Sequence, residues 1–128
     1  MTASEWMEIY TASSANGLTA QATILTMVSG YLVVAYSVGS KLSTLQVAVA
    51  NLIYLGGAGT VLVSNHGSVL DSVNAREHAM SLDTGIGSVA YVEGWGPSEW
   101  AALVVVFNAL FVIFSFVFMW QVRRNKGK

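Results

Sequence analysis

The stretch from Trp100 to Val122, which runs directly into Arg123, Arg124, Lys126 and Lys128, constrains this chain more than any other. Between Ala101 and Met119 only Asn108 and Ser115 are polar, and nothing is charged. A run of that length and apolarity crosses a hydrocarbon core of ~30 Å as a helix. Basic residues resist translocation, so the cluster behind it puts the C-terminal end of the helix on the cytoplasmic side.

Two earlier stretches have the same character. Leu18 to Val38 and Leu42 to Ser64 contain no charged residue, and Lys41 lies in the short link between them, so the two must form an antiparallel hairpin. The expected fold is an all-α integral membrane protein, one domain over 1–128, with transmembrane helices at about 18–38, 42–64 and 100–122. A 35-residue outer loop, 65–99, joins the last two, and 123–128 form a basic cytoplasmic tail. Composition agrees: 54% of residues are hydrophobic and 10% charged, too apolar for an ordinary soluble domain of 128 residues. The net charge of −1 gives no basic field for nucleic acid, and the absence of cysteine excludes disulfides, thiolate metal sites and iron–sulfur ligation by this chain.

Charge placement gives the orientation. Five of the six basic residues, Lys41 and the four of the tail, fall on one side of the expected membrane, and only Arg76 on the other. The acids Glu5, Glu8, Asp71, Glu77, Asp83, Glu93 and Glu99 all fall with Arg76. This predicts N-out, C-in topology in a cell (inner or plasma) membrane. Residues 1–17 carry Glu5 and Glu8 but no Lys or Arg, so they are expected to be retained rather than to act as a signal peptide.

Thr2 and Glu5 have the spacing of a capping box, and Trp6, Met7, Ile9 and Tyr10 give the following turns an apolar side. This segment reads either as an interfacial helix ended by Asn16-Gly17 or as an extension of the next helix. In the outer loop, Val69, Leu70, Val73 and Met80 predict a short amphipathic surface helix over 68–82. The glycine-rich segment from Asp83 to Pro97 predicts turns, with Val89, Tyr91 and Trp95 dipping towards the interface, and Ser98 stands where a helix N-cap belongs.

Helices in lipid associate through small residues and a few hydrogen bonds, because lipid is as apolar as leucine. Seven-residue spacing picks out one seam per helix: Thr23, Gly30 and Ser37; Ser43, Ala50, Gly57 and Ser64; and Ala101, Asn108 and Ser115. Counting along the helices from the membrane edges pairs Tyr54 with Asn108 and Tyr31 with Asn51. Phe107, Phe111, Phe114 and Phe118 form one stripe, read as a lipid-facing surface or, alternatively, as the docking face for another membrane subunit.

No catalytic, phosphate-binding or cofactor motif is present, and no cofactor is expected. The expected role is a non-enzymatic accessory or structural subunit, whose partners are the lipid bilayer and further copies of itself or a larger membrane complex. Two alternatives stand: a small-solute or ion pathway built from several copies, and a redox or metal-binding subunit using His66 and His78.

Overall fold

The computed structural model describes residues 1–82 and 95–125, and among these the only regular elements are helices. Helix α1 spans Ala3–Val38, α2 spans Thr44–Leu82 and α3 spans Pro97–Arg124. All three are long and apolar enough to cross a membrane. The tail residues Lys126 and Lys128 lie outside the described residues, as do Asp83, Glu93 and the expected turns through Val89 and Tyr91.

Both earlier helices exceed the expected spans. Helix α1 opens on the capping box: Thr2 N donates to Glu5 Oε2 at 2.6 Å and Glu5 N donates to Thr2 Oγ1 at 3.3 Å. It then runs straight through Asn16-Gly17, so the reading of 1–17 as an extension holds. An interior glycine costs a helix only about 1 kcal/mol, which packing against a neighbour outweighs. The expected loop beginning at Asn65, with its separate surface helix, is likewise corrected: 65–82 continue α2 without a break. Polarity marks where a helix leaves the membrane, and it does not by itself end the helix.

The reason these extensions hold is visible in α2. Tyr54, Ala58, Asn65, Ser72, Ala75 and Ala79 are buried, with Val61 and Ser68 half-buried between them. Their steps of four and three residues make a seam of the left-handed coiled-coil type that continues from the apolar half into the polar half. Opposite it, α1 buries Ala20, Ile24, Val28, Tyr31 and Ala35. At the far end Trp6 stacks on His78, with ring centroids 4.5 Å apart, so the two helices stay paired almost to their tips. At 36 and 39 residues they are about 54 and 58 Å long, and a ~30 Å core takes up only ~20 residues of each.

The link between α1 and α2 is fixed at both ends. Ser43 and Gln46 form a second capping box, Ser43 N donating to Gln46 Oε1 at 2.8 Å and Gln46 N to Ser43 Oγ at 3.2 Å. Arg123, at the end of α3, donates from Nη1 to the carbonyls of Leu42 and Gly39, at 2.7 and 3.2 Å. Lys41, Arg123 and Arg124 are thereby gathered at one end of the bundle. At its other end α3 is capped by Gly96, not by the expected Ser98, whose hydroxyl instead donates to Glu99 Oε2 at 3.0 Å.

Candidate functional site

Each helix contributes one carboxamide to a junction in the middle of the bundle. Gln21 Nε2 donates to Asn108 Oδ1, and Asn108 Nδ2 donates back to Gln21 Oε1, both at 2.8 Å. Asn65 Nδ2 donates to the same Gln21 oxygen at 3.2 Å, and Asn108 also donates to Val104 O at 2.9 Å. Asn65 and Asn108 are almost fully buried. An amide brought into apolar surroundings must find a partner, and here α1, α2 and α3 supply partners to one another.

The second polar level lies nearer the link. Tyr31 Oη donates to Asn51 Oδ1 at 2.5 Å, the pair expected from depth. Tyr54 does not reach Asn108. Its hydroxyl lies 2.9 Å from Ser115 Oγ, and because Ser115 donates its own hydrogen to Val112 O at 2.6 Å, Tyr54 is the donor. Helical side chains lean towards the N-terminus of their own helix, which for α2 is the link end, so the Tyr54 hydroxyl meets α3 one heptad below Asn108. Tyr31 and Tyr54 stack at 4.2 Å and 20°, with Phe116 edge-on to both at 5.7 and 5.5 Å.

The seven-residue seams fall differently on each helix. In α3, Ala101, Asn108 and Ser115 are all buried. In α1, Thr23, Gly30 and Ser37 face outward, one position from the buried Ile24 and Tyr31. In α2, Ala50 and Gly57 are half-buried, Gly57 beneath Met27, while Ser64 is exposed and Ser43 serves as the cap. Of these, Thr23 and Ser64 meet in a groove of about 440 Å³ between α1 and α2, lined also by Asn16, Thr19, Ala20 and Thr60 among others, whereas Gly30 and Ser37 lie outside it. Thr19, Thr23 and Thr60 satisfy their hydroxyls on carbonyls one turn back, so the groove wall presents little unmet polarity.

The Phe stripe divides. Phe107 and Phe114 are exposed, whereas Phe111 and Phe118 are half-buried and pack against the core. The two histidines are separated: both are on α2, 12 positions and so about 18 Å apart, which excludes one metal site shared by the pair within a chain. Among the described residues no group of three or more His, Asp or Glu could hold a metal ion. His78 is occupied by Trp6 and by Asn74 O, 2.8 Å from Nδ1, and His66 has an enclosed Nδ1 with no hydrogen-bond partner.

Sequence reasoning passed over Gln21. It is the sole carboxamide between Leu18 and Val38, and the need of such a group for a partner in lipid was the available signal. Compared with protein-family models, curated proteins and solved structures, the chain matches none.

Proposed function

We propose that this chain is a non-enzymatic, multi-pass membrane protein of N-out, C-in topology in a cell (inner or plasma) membrane, acting as a packing subunit of a homo-oligomer or larger membrane complex. The observation that carries this is the outward groove of small residues between α1 and α2. In lipid, small side chains are favoured where backbones approach closely, and here the partner in the groove is not another part of the described chain. Gly30 and Gly56 on the same two helices have nothing within 4 Å of where a Cβ would stand, which leaves room for a neighbouring helix. The junction amides bond across the bundle axis and close it, which favours packing over a solute path through one chain. The orientation rests on Lys41, Arg123 and Arg124 at one end and Glu5, Glu8, Asp71 and Glu77 towards the other.

Native mass spectrometry in mild detergent tests the assembly. Wild type is expected as an oligomer or with a co-purifying membrane subunit, and Thr23→Leu with Thr60→Leu, which fills the groove, is expected to release the single chain. A wild type that is monomeric and partner-free, or a double variant that assembles as before, overturns the reading. Ser4→Cys and Lys41→Cys should react oppositely with an impermeant thiol reagent on intact cells, Ser4→Cys labelling and Lys41→Cys not.

A further inference from the structure

On the far side of the amide junction from the link, a second cavity of about 340 Å³ lies between α1, α2 and the start of α3. That is within the ~300–1,000 Å³ of small-molecule sites. Most of its exposed lining is apolar, from Leu18, Val69 and Val104, and among the described residues its polar groups are the hydroxyls of Ser13, Ser14, Ser68 and Ser72 and the carboxamides of Gln21 and Asn65. Among the described residues no charged side chain lines it, and Arg76, buried on α2 four positions beyond Ser72, is not part of the lining. We propose that this cavity binds a neutral polyhydroxyl group, the sugar or glycerol-type headgroup of a lipid or a free polyol.

The hydrogen-bonding capacity left over in the cavity defines the guest. Asn65 is 2% exposed and donates to Gln21, but its Oδ1 has no bond to any described residue. Gln21 Nε2 uses one of its two hydrogens on Asn108. Ser13, Ser14 and Ser68 make no back-bond of the kind that occupies Thr11, Thr19, Thr23, Thr26 and Thr60. Ser72 donates to Val69 O at 2.9 Å and keeps its acceptor lone pairs. The described residues of the site therefore offer donors and acceptors side by side without a charge, and neighbouring hydroxyls on one guest, each both donor and acceptor, match that pattern. A charged guest would enter with no counter-charge among the described lining residues.

Gly17 keeps the floor open. A Cβ there would stand 3.7 Å from Ser68 Cβ and 3.8 Å from Asn65 Oδ1, in ordinary contact, so any longer side chain occupies the space of the guest. The level is also right for a headgroup. Val104 on the rim lies one turn, ~6 Å, below Trp100, a residue type that settles at the membrane interface, and the rim residue Leu18 is exposed. An acyl chain could run down past Leu18 and Val104 while its headgroup sits among the serines.

The test uses full-length protein in a polyoxyethylene detergent, whose headgroup carries no sugar. The probes are a monohexosyl diacylglycerol and a phosphatidylcholine with the same chains, read by native mass spectrometry, and methyl glucoside, read by saturation-transfer NMR. The glycolipid is expected to bind at least tenfold tighter than the phosphatidylcholine if a lipid headgroup is the guest, and methyl glucoside to bind without any lipid if a free polyol is. Ser13→Ala with Ser14→Ala removes two hydroxyls at roughly fivefold per bond, so binding of the hydroxylated probe should weaken more than tenfold. Alanine favours the helix, so circular dichroism and melting of this variant should match wild type. Gly17→Leu should abolish binding, and Thr23→Ala, on the other groove, should leave it unchanged. Equal uptake of the two lipids with no response to methyl glucoside, or unchanged binding by the double alanine variant, overturns the proposal.

Discussion

The two polar levels of the bundle, about 15 Å apart along α1 from Tyr31 to Gln21, are held in different ways. Near the link, large rings do the work: Tyr31, Tyr54 and Phe116 pack face and edge, and two hydroxyls are satisfied as a consequence of that packing. At the junction the order is reversed, since Gln21, Asn65 and Asn108 are joined by directional bonds and the surrounding residues are smaller. Ring packing tolerates small shifts, whereas an amide pair has one geometry. The aromatic level should therefore carry more of the stability and the amide level more of the register.

The sharpest test of that division is Tyr54→Ala, which removes the stack, one edge contact and the bond to Ser115. Its cost should lie near the low end of the roughly 3–5 kcal/mol of large-to-small aromatic changes, because lipid restores the transfer term but not the packing. Unfolding measured in bicelles should show a loss of about 3 kcal/mol, and a loss below that of any junction variant would reverse the comparison.

Asn108→Leu comes next. Interhelical bonds in membranes average about 0.6 and reach about 1.7 kcal/mol, and orphaning Gln21 adds to that, so a loss of about 2 kcal/mol is expected. The double variant with Gln21→Leu should recover part of it. Additive losses in that cycle would show that the two amides are not coupled.

Gly39 tests how tightly the link end is built. A Cβ there would run into the carbonyl oxygen of Ala35 and stand 2.9 Å from Met119 Sδ, so Gly39→Ala should cost about 1 kcal/mol or more through backbone movement. In the single chain Gly30→Ala, with open space around it, should cost nothing and gain up to about 1 kcal/mol from helix propensity. Equal effects at the two glycines would mean that the link is not closely packed.

The smallest expected loss belongs to Tyr54→Phe. It keeps the rings and deletes only the hydroxyl, for roughly 0.6 kcal/mol by chemical denaturation. A cost approaching that of Tyr54→Ala would place the stabilisation in the hydrogen bond and dissolve the distinction between the two levels.

How much of this was legible differs from residue to residue. The apolar run from Ala101 to Met119 and the capping box of Thr2 and Glu5 needed only neighbours in sequence, and both appear as read. The Tyr31–Asn51 bond was legible because both residues lie close to the link, where counting from the turn accumulates little error. Tyr54 was mispaired with Asn108 because counting backbone rise ignores the reach and lean of the side chain. Thr23, Gly30 and Ser37 were picked for smallness, yet the face that turned inward on α1 carries Ile24 and Tyr31. One residue of offset rotates a helix by about 100°, and no local property of α1 fixes that angle.

The sequence by itself determined that this chain is helical and apolar enough to cross a membrane three times, because hydropathy over some twenty residues is a sum that needs no partner. Only the tertiary structure decided that α1 and α2 run on through Gly17 and Asn65, that their buried faces lie one position away from Thr23, Gly30, Gly57 and Ser64, and that Gln21, Asn65 and Asn108 meet. Those outcomes depend on what stands across the interface, and residues separated by 44 and 87 positions become neighbours only once all three helices have packed.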